Sequence, residues 1–154
     1  MEEKQEEKIV MVKFLYNECY GGFRLSGEFI DKYNELYGDN TKELEMDMIP
    51  RSDPKLVHVF NLLGTDRSGR GLSRIKAMYI PKELRDFVDL HEYDGYESVS
   101  VDANPAFAAL LFEAIDYGQL ADEFIAEARR LEYVRQQYYC YRGGEADESL
   151  FVFE

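Results

Sequence analysis

Residues 9 to 17, IVMVKFLYN, are apolar at nearly every position and β-branched at three. Such a run predicts a strand covered on both faces and central in its sheet. Beyond CYGGF the period changes. Phe29, Ile30, Tyr33 and Tyr37 recur at helical spacing between Ser26, a good N-cap, and Gly38, which can close a helix in the left-handed region. The pattern predicts a helix over 27–37. DNTKELEMDM is acidic and follows neither period, so a surface loop is expected there. Asp53 and Pro54 open a second helix that ends at Gly64 and buries a stripe of Leu56, Val57, Phe60 and Leu63. His58 falls beside that stripe, where an ordinary packing role is expected rather than a ligand role.

TDRSGRGLS reads as a flexible basic loop. In SRIKAMYIP, Ile75, Ala77 and Tyr79 alternate with Arg74, Lys76 and Met78, which predicts a half-exposed strand that stops at proline and turns its cations outward. FVDLHEY and YESVSV flank Asp94-Gly95, a strong hairpin signal. A two-residue turn sets Tyr93 opposite Tyr96 and Glu92 opposite Glu97. Opposed carboxylates destabilise a hairpin by up to about 1 kcal/mol, so Arg51 or Arg24 is expected to bridge them. Asn104-Pro105 opens a helical segment broken at Gly118, and a second follows with Leu120, Phe124, Ala128, Leu131 and Val134 on one face. After Gly143-Gly144 order is expected to end, leaving EADESLFVFE as an acidic tail whose apolar cluster can dock on this domain or on a partner.

The expected fold is α+β: a small, mostly antiparallel sheet built from 9–17, 73–80, 86–93 and 96–102, with packed helices and a C-terminal helical extension over 103–142. A charged leader (1–8) and the tail (143–154) flank the 9–102 core, in what reads as a single domain.

Composition narrows the function. Apolar residues make up 45% of the 154, enough for a core despite 32% charged residues. A net charge of −13 argues against a protein that coats nucleic acid with its whole surface. Residues 65–85 nevertheless hold six basic against two acidic residues, a local +4 that leaves −17 on the remainder. A cationic patch on an acidic body can meet an anionic partner while limiting non-specific binding, although a solvated basic loop would look the same. Two distant cysteines and the lack of a secretory pattern point to a reducing, cytoplasmic location without disulfides. No run approaches the about 20 apolar residues that span a bilayer, so no membrane partner is expected.

NECYGGFRLS, residues 17–26, is the most distinctive stretch. It lacks the lysine and hydroxyl that a phosphate-binding loop places after its glycines. Its strand, glycine turn and capped helix still offer backbone N–H groups, with Arg24 nearby, to an anion. Cys19 as a nucleophile needs a base, and only His58 and His91 exist. Two His and two Cys without close spacing form no zinc site, and no metal or other cofactor is expected. Glu92 and Glu97 could divide acid and base roles on a substrate, but bridging by an arginine is the simpler account. RSGRGLSRIK spaces its arginines with small residues, which suits an irregular phosphate surface, and twelve tyrosines supply stacking faces for folded RNA. Tyr133, Tyr138, Tyr139 and Tyr141 serve equally well as core.

Several motifs coincide in order: Asn17, Cys19, Tyr20, Gly21, Gly22 and Phe23 within NECYGGFRLS, Arg51 with Asp53 and Pro54, Leu56-Val57, Leu63-Gly64, Ile80-Pro81, and Glu92, Tyr93, Asp94, Gly95 and Glu97 within EYDGYE. Over residues 9–101 the arrangement resembles a small family from microbial eukaryotes, giant DNA viruses and phages that includes the microsporidian dormancy factor. The resemblance implies a non-enzymatic, ribosome-binding dormancy (hibernation) factor that occupies the transfer-RNA exit site of the small ribosomal subunit and keeps the ribosome inactive. Its partners would be ribosomal RNA and basic ribosomal proteins, and a monomer is expected. Arg67, Arg70, Arg74, Lys76 and Arg24 are the candidate RNA-facing residues. Two readings compete: an enzyme or sensor holding a phosphorylated small molecule at the CYGGF turn, and an interaction module for a basic protein.

Overall fold

In the computed structural model, which describes residues 7–38, 40–101 and 121–154, the first apolar run forms β1 (Ile9–Asn17). It is followed by α1 (Gly27–Tyr37), a one-turn α2 (Glu43–Met46), α3 (Pro54–Leu63) and a one-turn α4 (Thr65–Ser68). β2 (Ile75–Pro81) leads through a 3₁₀ segment (Lys82–Phe87) into β3 (Val88–Tyr93) and β4 (Tyr96–Val101). α5 (Ala121–Arg142), a 3₁₀ turn (Glu148–Leu150) and β5 (Phe151–Phe153) complete the order. The protein is α+β, with small, mostly antiparallel sheets and a C-terminal helix.

The strands do not form the single sheet expected from sequence. One sheet has the order β2-β1-β5, and β3 with β4 forms a separate two-stranded sheet. β1 is central as expected, but its second edge is taken by the tail: Ile9, Val10 and Met11 pair in parallel with Phe151, Val152 and Phe153. The Glu154 N–H extends this ladder to the Met11 carbonyl at 2.9 Å. The apolar cluster of the tail is thus a strand, and order continues past Gly143-Gly144.

The chain divides into two compact units that interleave in sequence, one comprising 1–12, 80–89 and 101–154, the other 13–79 and 90–100. In the second unit, the Ser26 hydroxyl accepts from the Phe29 N–H at 3.0 Å and caps α1, and Gly38 closes it at φ 67°. The Asp53 carboxylate caps α3 by accepting from the Lys55 and Leu56 N–H groups at 2.9 and 3.3 Å. Phe29, Ile30 and Tyr33 from α1 and Leu56, Val59 and Phe60 from α3 bury together with Leu15 and Ile75. Val59 takes the central place in that stripe, while Val57 and Leu63 are only partly buried beside it. Met46 also enters this cluster, at 1% exposure, so the acidic stretch expected to be a loop anchors α2.

In the first unit, α5 buries Ala128, Leu131, Val134 and Tyr138. It packs on the 3₁₀ segment whose Leu84 is fully buried. The Arg130 guanidinium donates to both oxygens of Glu83 at 3.0 and 2.7 Å, which raises its pKa. The Tyr141 ring lies 5.5 and 5.8 Å from the rings of Phe151 and Phe153, so α5 helps seat β5. The first part of the charged leader, the helical segment expected after Asn104-Pro105 with its break at Gly118, and Leu120 lie outside the described residues, as does the side chain of Phe124. Among the described residues no helix is long and apolar enough to cross a membrane.

Burial pushes the Tyr138 phenol pKa up, although the Arg142 guanidinium donates to its oxygen at 3.2 Å. The fold prefers the neutral phenol, so this contribution is complete below the ordinary tyrosine value of about 10 and is lost as pH rises through the raised folded value. Melting temperature should therefore fall less steeply above about pH 10 in Tyr138→Phe than in the parent. Parallel alkaline profiles would show that Tyr138 is not the group responsible.

Candidate functional site

β1 ends on Asn17, which is fully buried. Its side-chain amide donates to the carbonyls of Cys19 and Gly95 at 2.6 and 2.9 Å, while its amide oxygen accepts from the Arg74 N–H at 2.8 Å. One side chain thus joins the strand end, the following loop, the hairpin turn and the entry to β2. The Asn17 backbone N–H donates to Oε1 of Glu97 at 2.8 Å. Arg51 closes the other side of that carboxylate with two bonds, 2.8 Å to Oε1 and 3.0 Å to Oε2. A carboxylate only 7% exposed is costly without such partners.

Arg51 is itself held in place. Its carbonyl accepts from the Leu15 N–H at 3.0 Å, and its guanidinium lies 3.5 Å from the centre of the Phe23 ring. The expectation that an arginine bridges Glu92 and Glu97 needs correction: Arg51 engages Glu97, whereas Glu92 is exposed. Turning Glu97 inward and leaving Glu92 in solvent separates the like charges without a shared cation.

The glycine pair explains the rest of the corner. Asp94 and Gly95 have φ of 50° and 84°, as the tight hairpin turn requires. That turn lies against the loop after β1, with the Gly21 N–H donating to the Asp94 carbonyl at 3.2 Å. A Cβ on Gly95 would stand 2.1 Å from the Gly22 nitrogen and 2.6 Å from that of Gly21. The backbones touch because Gly95 has no side chain, while Gly21 and Gly22 supply the positive φ of 98° and 90° that the loop takes. Where an anion-holding turn was one expectation, the hairpin's own backbone packs against one side of the glycine pair and leaves Gly21 exposed. Neither histidine serves Cys19: His91 shares a hydrogen bond with Ser100 at 3.2 Å, and His58 meets the Tyr37 ring edge-on. Among the described residues, no group of three or more His, Cys, Asp or Glu is placed to hold a metal ion.

The stretch expected to be a flexible basic loop is pinned to residues 22–26. Leu25 and Gly69 form an antiparallel bridge, flanked by Ser26 N–H to Ser68 O at 2.8 Å and Arg70 N–H to Arg24 O at 2.9 Å. The hydroxyls of Ser26 and Ser73 add bonds to the carbonyls of Arg67 and Gly22 at 2.7 and 2.6 Å. Short polar side chains and backbone groups fix the segment where an apolar pattern is missing.

This ladder sorts the five candidate cations. Arg67 pairs with Glu28 and holds that carboxyl below its ordinary range, while Lys76 pairs with Glu18 at 2.6 Å. Arg24, Arg70 and Arg74 are exposed. Their backbones share the ladder, which brings Arg24 beside Arg70 and sets Arg74 against Glu18, whose N–H donates to the Arg74 carbonyl at 2.9 Å.

No protein-family model, curated protein or solved structure matches the chain.

Two aromatic features carry no periodic signal. Tyr20 and Tyr96 are 52% and 38% exposed, yet their rings lie 5.9 Å apart. The signal lay in the turn: once Gly95 seats on Gly21 and Gly22, the residues next to those glycines become neighbours. Of the C-terminal tyrosines weighed as core or stacking groups, Tyr138 is buried and Tyr139 is 49% exposed.

Gly95→Ala should lower stability by about 3 kcal/mol or more, because it adds a positive-φ penalty to a backbone collision. Gly27→Ala, whose new methyl meets nothing within 4 Å, is the control and should be neutral or stabilising in chemical denaturation. Asn17→Ala strands a buried N–H and two carbonyls and should cost about 2–4 kcal/mol. Wild-type stability in either Gly95→Ala or Asn17→Ala would disprove the corner as described.

Proposed function

We propose that the protein is a ribosome dormancy factor, which occupies the transfer-RNA exit site of the small subunit and keeps the ribosome idle by occlusion, without performing a reaction. The run of motifs from Asn17 to Glu97 supports the ribosomal reading through its resemblance to the dormancy-factor family. The structural observation that carries the reading is the exposed arginine group on a braced ladder: Arg24 on one segment, Arg70 and Arg74 on the other. Folded RNA is recognised largely through its phosphates and shape, and cations on a fixed backbone can match such a surface. The remainder of the chain carries −17 and suits the Lys- and Arg-rich ribosomal proteins that line RNA. Preferential binding to the idle state stabilises that state by mass action. A cytoplasmic location follows from this reading.

Arg67 and Lys76 pair with Glu28 and Glu18, so they contribute less than Arg24 and Arg74. The reading as a sensor of a phosphorylated small molecule has less support, because the Gly21 N–H already donates to the Asp94 carbonyl.

The protein should cosediment with ribosomes at low salt. Replacing Arg24, Arg70 and Arg74 together by Ala should weaken binding and flatten its dependence on salt by about 0.7–0.9 in log–log slope per lost phosphate contact. Protein that stays in the supernatant contradicts the proposal, and an unchanged slope moves the RNA contact away from these arginines.

A further inference from the structure

Large side chains left in water on a rigid backbone mark recognition surfaces more often than chance exposure does. Around the hairpin turn three tyrosines fit that description: Tyr93 is 79% exposed, Tyr20 52% and Tyr96 38%. They have little freedom to bury themselves elsewhere. Tyr20 stands between Cys19, whose carbonyl accepts from Asn17, and Gly21, whose N–H donates to Asp94. Tyr96 stands between Gly95, packed on the glycine pair, and the buried Glu97. The corner that holds the hairpin therefore also holds two aromatic rings 5.9 Å apart, tilted by 57°, with a third next to the turn.

We infer that Tyr20, Tyr96 and Tyr93 form a stacking platform for unpaired nucleotides, with Arg74, whose backbone is bonded to that of Glu18, as the candidate for the adjoining phosphate. This inference rests on the ribosomal reading above and names the element of RNA that this part of the surface takes. Three tyrosines offer flat faces that any base can stack on, and a phenol hydroxyl can meet a base edge or a ribose. Charge decides between the hairpin tip and the ladder. Glu92 and Asp94 are exposed on the hairpin and repel phosphate, so the tip takes bases. The backbone of Arg74 lies against Glu18, two residues from Tyr20, and Glu18 is neutralised by Lys76. A single strand can therefore place bases on the rings and its backbone on the arginine side. A duplex cannot, because its bases are already stacked.

The test uses the full chain and a dye-labelled, mixed-sequence single-stranded RNA of about twelve nucleotides, a length within the range such sites cover. Binding is followed by anisotropy at several salt concentrations, with a duplex of the same length as competitor. The single strand should bind more tightly than the duplex. Tyr20→Leu with Tyr96→Leu should weaken it by about tenfold or more and leave the salt slope unchanged, since neither residue carries charge. Tyr93→Leu, at the most exposed position, is the second variant and protects the test against a folding defect in the pair. Equal affinity for duplex and single strand, no binding of the single strand, or affinity indifferent to all three tyrosines overturns the inference. Loss of binding to RNA-free basic ribosomal proteins in the tyrosine variants, with oligonucleotide affinity unchanged, would assign the platform to a protein and likewise overturn it. The two proposals fail separately. Tyrosine-dependent binding of the single strand without ribosome cosedimentation retains the platform and removes the ribosomal reading. Cosedimentation indifferent to the tyrosines does the reverse.

Discussion

A single buried carboxylate organises one side of this protein. Glu97 leaves water at the start of β4 and is met by the Asn17 N–H and by both terminal nitrogens of Arg51. An uncompensated charge in that position would cost several kcal/mol, so the fold that buries it must bring strand end, loop and hairpin together at once. The hairpin needs no third strand to hold it: its turn is clamped through Asn17 and fits against two glycines. β3 and β4 form a sheet of their own where a single sheet was expected, and β1 pairs with the C-terminal strand.

The motif residues then separate by physical role. Asn17, Gly21, Gly22, Arg51, Gly95 and Glu97 build the corner, and Asp53 with Pro54 starts α3. Tyr20 and Tyr93, from the same motifs, point outward, and the exposed arginines follow on the adjoining ladder. Buried framework and exposed side chains thus alternate among neighbouring residues of one stretch. A binding surface mounted on fixed backbone loses little conformational entropy when a partner arrives. Under the proposed function, the acidic remainder of the chain keeps the attraction to RNA local.

The elements that depend on a strong local period were legible from sequence. α1 runs from Gly27 to Tyr37 between the expected caps, α3 begins at Pro54 after Asp53, and the Asp94-Gly95 hairpin has the expected turn. What periodicity cannot see is a lone apolar residue in a polar run, such as Met46, or a loop fixed by serine hydroxyls and backbone groups, such as 65–73. The opposed glutamates were legible as a conflict, and Arg51 was one of two cations named to resolve it. The sequence did not reveal that only Glu97 turns inward, because that choice depends on Asn17, eighty positions away. The tail as a strand escaped for a similar reason. Three residues are too few for a pattern, and their pairing with β1 is set by a partner from the other end of the chain.

Amide hydrogen exchange tests the central claim most directly, because three N–H groups report on the corner from different segments: Asn17 to Glu97, Arg74 to the Asn17 side chain, and Gly21 to Asp94. If one buried charge cluster holds hairpin, loop and strand entry together, all three amides should exchange as slowly as those of β1, and Glu97→Gln should accelerate them by a common factor. Fast exchange at Gly21 and Arg74 in the parent, or acceleration confined to Asn17 in the variant, would show that the corner is not a cooperative unit and would remove the rigid mount on which the proposed binding surface depends.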